Sequence, residues 1–164
     1  DILTNILYGN MTSKLWLVLR EFNPIVYGLK VYYTLLEQCG IFVIKMSFEK
    51  NKINDCFKYL LNELKNLKNK LIDLNDFNRL KEIELNDLII NNNSTDDIAE
   101  FYGEQFILDE KIESYNSLEK KLKKIDRNKI KKLCNELLDF NNCVIVHIGD
   151  IKKEKIEKLF YKNI

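Results

Sequence analysis

Apolar and polar residues alternate along this chain with two different periods, and the switches between them mark its elements. Ile2 to Tyr8 is a short apolar run stopped by Gly9-Asn10, a pair suited to ending a helix. Thr12 or Ser13 can cap a second helix reaching about Phe22, with Leu15, Leu19 and Phe22 spaced as one buried face. Asn23-Pro24 ends it, since the residue before proline is pushed out of helical geometry. From Val26 the period falls to two. Val26 to Leu35 and Ile41 to Phe48 read as strands, the second with Phe42, Ile44, Met46 and Phe48 on one face. Their link, Glu37-Gln38-Cys39-Gly40, is short enough for an antiparallel hairpin.

From Asn51 the period returns to about 3.6. Ile53, Phe57, Leu60, Leu61, Leu64 and Leu67 form a stripe, and a break at 69–73 leads to a helix over about 74–90. Ser94 with Asp97 is spaced as a capping box for a helix through Leu108. Helical patterns follow over Ser114 to Ile125 and over Asp126 to Asp139, with Asp126 as N-cap. Ile130, Leu133, Cys134, Leu137 and Leu138 are the expected inner face of the second. Cys143 to Ile148 reads as a nearly all-apolar strand buried on both faces, with His147 a satisfied strand residue. Lys152 to Tyr161 is amphipathic again. This order predicts an α+β fold, with helices packed on one face of a largely antiparallel sheet. No linker divides residues 1–164, so a single domain is expected. Three strands are few for so many helices, which suggests a fragment lacking its first strand or strands.

Composition narrows the function classes. The chain has 164 residues, 46% of them hydrophobic and 31% charged, as in globular proteins. Twenty-six basic against 25 acidic residues leave a net charge of +1, interleaved along the chain. No nucleic-acid footprint results. No run approaches the length of a membrane span. Cys39, Cys56, Cys134 and Cys143 lie beside apolar neighbours without a C-x-x-C pair, so buried, reduced thiols in an intracellular compartment (cytoplasm or organelle) are expected. A hydrolytic zinc site commonly needs three protein ligands, and the only histidine is His147. Neither H-E-x-x-H nor its inverse occurs, nor a P-loop or dinucleotide fingerprint.

One stretch carries more. Leu7-Tyr8-Gly9-Asn10-Met11-Thr12-Ser13-Lys14-Leu15 runs on through Arg20-Glu21 to Tyr27, which stands seven positions past Arg20 and opens a strand. This resembles the signature that starts the carboxy-terminal, zinc-free half of the insulinase, pitrilysin and mitochondrial processing peptidase family. The later order, down to Ile148-Gly149-Asp150, resembles the family too. The chain departs from the pattern at Asn10 and Pro24, where members commonly carry glycine.

The resemblance implies no cofactor in this chain and zinc in an amino-terminal partner half, in the same polypeptide or in a catalytic partner subunit. It implies a peptide substrate, with Arg20 and Tyr27 as catalytic residues and Arg20 also binding substrate. A protonated phenol and a planar, permanently charged guanidinium suit an oxyanion and substrate carbonyls. The alternative it implies is an inactive homologue that scaffolds or docks in a larger complex, like the core subunits of the respiratory cytochrome bc1 complex. Arg20 paired with an acid on its own helix, and Tyr27 as an ordinary strand aromatic, would be the corresponding structural roles.

Overall fold

In a computed structural model, residues 1–36, 38–90, 93–109 and 112–164 are described. The expected element order holds through most of the chain. Helix α1 (Ile2–Tyr8) is followed by α2 (Lys14–Trp16), which runs into a π-helical turn over Leu17–Glu21. Strands β1 (Val26–Leu35) and β2 (Gly40–Phe48) pair antiparallel, from Val26 opposite Phe48 to Leu35 opposite Gly40. A 3₁₀ turn (Lys50–Lys52) then leads into α3 (Ile53–Asn69) and α4 (Leu74–Ile90). Helices α5 (Thr95–Asp109), α6 (Tyr115–Lys123), α7 (Arg127–Leu137) and α8 (Lys153–Asn163) complete the chain.

The core explains the layering. Leu29 and Val31 of β1 are buried, with Phe42, Ile44 and Met46 of β2 packed beside them on the same sheet face. Helix α1 covers β1 with Ile2, Leu3, Ile6 and Leu7, and the π turn contributes Leu19. Helix α3 presents Ile53, Cys56, Leu61, Leu64 and Leu67, and packs against α7 and α8. Helix α4 sits against α1 and α6. The fold is therefore α+β, with helices on one face of an antiparallel sheet.

Local chemistry sets the ends. Ser94 Oγ accepts from the Asp97 amide at 3.0 Å while Asp97 Oδ2 accepts from the Ser94 amide at 3.1 Å, the reciprocal capping box the spacing predicts. Asp126 accepts from the Lys129 amide at 2.8 Å. Gly9 is required by space: a Cβ there would collide with the Asn5 side chain.

Several expectations are corrected. Phe22 is 72% exposed, because the Phe22 amide bonds back to Leu17 O at 2.8 Å and closes a π turn. Each residue of such a turn rotates the chain through a smaller angle, which swings Phe22 off the face shared by Leu15 and Leu19. On α7 only the row Ile130, Cys134, Leu138 is buried, and Leu133 and Leu137 are exposed. Cys143 to Ile148 forms no strand among the described residues. Val144, Val146 and Ile148 are 89%, 83% and 95% exposed. A strand exists only by a ladder, and among the described residues β1 and β2 bond only to each other. His147 consequently lies outside any strand, its Nε2 buried without a hydrogen-bond partner. Cys56 and Cys134 are buried as expected, but Cys39 and Cys143 are exposed. Glu37, in the predicted hairpin link, lies outside the described residues.

Candidate functional site

The helix–turn–strand unit at 14–29 positions both residues that the sequence singles out. A helix end leaves carbonyls without intrahelical partners. Here Leu17 O accepts from the Phe22 amide, Val18 O from Asn23 Nδ2 at 3.0 Å, and Leu19 O from the Ile25 amide at 3.0 Å. Pro24, which lacks an N–H, interrupts none of these bonds. The turn thus fastens the start of β1 to the end of the helix, and Leu19, Ile25 and Val26 are all buried.

Arg20 follows the buried Leu19 and Tyr27 follows the buried Val26, so each leaves the chain one residue beyond an anchor. Tyr27 is 69% exposed. It also lies at a β-bulge: Val26 pairs with Phe48 and Gly28 with Ser47, so Tyr27 is the extra residue of β1. Its hydroxyl has no hydrogen bond among the described residues. The sequence places Leu29, Val31 and Tyr33 in phase with Tyr27 as an apolar face for an amino-terminal partner half to cover. That expectation is corrected, because helices cover Leu29 and Val31, and the Tyr33 hydroxyl donates to Asp1 Oδ1 at 2.7 Å.

Arg20 is exposed and forms no ion pair among the described residues. Its guanidinium carbon lies 4.4 Å from the centroid of the Trp16 ring, a cation–π contact. Trp16 is held in turn, donating from Nε1 to Glu21 Oε1 at 3.1 Å and stacking with Tyr8 at 5.9 Å between centroids. The acid beside Arg20 therefore goes to the indole, and the guanidinium keeps its outward donors. The side chains of Arg20 and Tyr27 do not bond to each other. They share a rigid backbone unit.

Trp16 was not among the expected site residues, although its place four before Arg20 on a helix is a readable signal. Ser13 is another omission. It stands at the N-cap of α2, as the sequence suggests, but its hydroxyl closes the preceding helix. Oγ accepts from the Gly9 and Asn10 amides, both at 2.9 Å, and donates to Asn5 O at 3.0 Å. No cluster of three His, Cys, Asp or Glu that could hold a metal ion exists among the described residues. Burial pushes the Cys56 thiol up to about 12 and the Cys134 thiol up to about 11, so both stay protonated and are poor nucleophiles. No described helix is long and apolar enough to cross a membrane.

The family profile of the Peptidase M16 inactive domain matches residues 1–84, just over half of the chain. The chain belongs to that family. The match covers α1 through most of α4, and so includes Arg20, Tyr27, the π turn and the hairpin. Among solved structures, the inactive-domain fold seen here is similar to a chain of complex III2 from Candida albicans, determined with Inz-5 bound. The TM-score is 0.66 at 18% identity, over 82% of this chain and 34% of that one. At that identity the likeness is one of fold, and this chain spans about a third of the other's length. No curated protein matches.

Proposed function

We propose that residues 1–164 form one domain, the zinc-free half of an insulinase/pitrilysin-type peptidase, which closes a substrate chamber against a zinc-bearing half. Tyr27 and Arg20 supply hydrogen-bond donors to the substrate in this reading. One observation carries it: both side chains project from buried anchors on a fastened backbone, and neither is claimed by an acid or by a hydrogen bond within the described chain. Zinc in the partner half would supply the activated water. As that water attacks a peptide bond, charge grows on the former carbonyl oxygen, and a donor already in place lowers the barrier. Tyr27 suits that role because a phenol O–H is a hydrogen-bond donor. Arg20, steadied over Trp16, suits a carbonyl of the bound peptide. Two buried thiols without a disulfide accord with a reducing compartment inside the cell, cytoplasm or organelle.

The test is kinetic, on this chain reassembled with its zinc-bearing half. Tyr27→Phe should lower kcat by about 10²–10³ with KM little changed. Arg20→Lys, which keeps charge and loses the planar fork, should raise KM as well. Tyr27 lies outside the core, so melting temperatures should not move. Unchanged kcat in a folded Tyr27→Phe enzyme refutes the catalytic role.

A second reading is a structural subunit that docks in a larger complex without catalysis. The family description as an inactive domain and the neighbour's place in complex III2 favour it. The exposed apolar residues Val144, Val146 and Ile148 also suit a surface that another chain covers. Under this reading the reassembled complex shows no hydrolysis that depends on this chain, and both substitutions leave partner association intact.

A further inference from the structure

We infer that the outer face of the β1–β2 hairpin, centred on Lys30, Lys45 and Tyr32, docks an acidic segment of the peptide substrate. This deepens the peptidase reading above and rests on it. Alternation along β1 puts Lys30, Tyr32 and Thr34 on the face opposite the buried Leu29 and Val31. Across the ladder they meet Lys45, Val43 and Ile41, with Lys30 directly opposite Lys45 and Tyr32 directly opposite Val43. Both lysines are exposed and Tyr32 is 43% exposed, so no described element covers this strip.

Charge complementarity selects the occupant. Like charges directly opposed across a ladder repel, so this register is unfavourable for the free hairpin. Neither lysine finds an acid among the described residues, whereas Lys50, Lys123, Lys132 and Lys153 pair with Asp150, Glu119, Glu136 and Glu157. Between positions 26 and 48 the sequence holds a single acid, Glu37. The hairpin is therefore a local positive strip on a chain of net charge +1, with an aromatic ring and two aliphatic side chains beside the ammonium groups. A carboxylate placed between Lys30 and Lys45 removes the repulsion, and Tyr32 offers a flat surface to the aliphatic stem of a Glu. Tyr27, three residues before Lys30 on the same strand, puts the strip next to the proposed reacting end.

The experiment measures binding by this chain alone, so it can succeed or fail independently of turnover. Short fluorescein-labelled peptides, one rich in Glu and Asp and one with Gln and Asn in their place, are titrated by anisotropy at low salt. The acidic peptide should bind more tightly than the neutral one. Lys30→Gln/Lys45→Gln should weaken it by roughly ten-fold, the size expected for two surface ion pairs. A control on α8, Lys155→Gln/Lys158→Gln, should bind as the unaltered chain does. Lys45→Glu serves as a second variant: it makes a cross-strand ion pair with Lys30, so Tm should rise while acidic-peptide binding is lost. Equal affinity for the two peptides overturns the proposal, as does equal weakening in the α8 control. Sedimentation with phosphatidylserine vesicles gives the remaining outcome: vesicle binding without peptide discrimination would make the strip a lipid contact and overturn it too. If acidic peptide binds as expected and Tyr27→Phe leaves kcat unchanged, only the catalytic reading falls.

Discussion

Ser13 is the buried polar side chain of the described core, and its one hydroxyl serves three backbone groups of the α1–α2 junction. Ser13→Ala leaves the Gly9 and Asn10 amides and the Asn5 carbonyl of this part-buried junction without that partner. It should cost about 1–3 kcal/mol, the usual penalty for unsatisfied buried groups, read by chemical denaturation. A loss below the lower bound would mean that water replaces the hydroxyl. At this scale the sequence was a partial guide. It marked Thr12 or Ser13 as a cap, Cys56 and Cys134 as core, and Arg20 and Tyr27 as candidates. It could not show that Ser13 caps backward, because that depends on how α1 and α2 fold over each other. Nor did it show that Arg20 rests on Trp16 while Glu21 turns to the indole, a choice among three neighbours on one helix.

Elements with local causes were legible. The hairpin, the capping box at Ser94 and Asp97, and the cap at Asp126 all follow from spacing that acts within a turn or two. The π turn was not, because a 3.6-residue template fits 14–22 equally well until Phe22 must be placed. Helix α4 offers a test of such local control. Asp73 Oδ1 accepts from the Asn75 amide at 2.8 Å and the Asp76 amide at 3.2 Å. Those backbone bonds, from Asp76 first, hold the Asp73 carboxyl below the usual carboxylate value, with a smaller pull from Arg127. A folded pKa below the unfolded one, near ~3.9, gives stability that is complete above the unfolded value. It is lost as pH falls through the folded one. Asp73→Asn keeps a capping oxygen that cannot titrate. The unaltered chain should therefore melt above Asp73→Asn at neutral pH, and the two Tm curves should converge as acid protonates Asp73. Parallel curves down to low pH would show that the charge of the cap is immaterial.

At the scale of the molecule, the α+β class and the helical layer were visible in the order of periods. The third strand was not obtained, and the reason is non-local. Cys143 to Ile148 has strand chemistry, but a strand needs a neighbour, and among the described residues β1 and β2 are bonded only to each other. An ion pair, Lys50 with Asp150 at 2.6 Å, ties the following turn to the 3₁₀ turn before α3. The exposed Val144, Val146 and Ile148 therefore remain apolar surface that a partner half could cover. The central claim is that this chain works as a zinc-free half beside a zinc-bearing one, and reconstitution tests it most directly. A fixed amount of the zinc-bearing half is titrated with this chain, and hydrolysis of a quenched fluorescent peptide is followed alongside the metal content of each component. Hydrolysis should rise from near background to a plateau at equimolar chain, with all the zinc on the partner. Hydrolysis that is already maximal without this chain, or that never rises on adding it, would contradict the account.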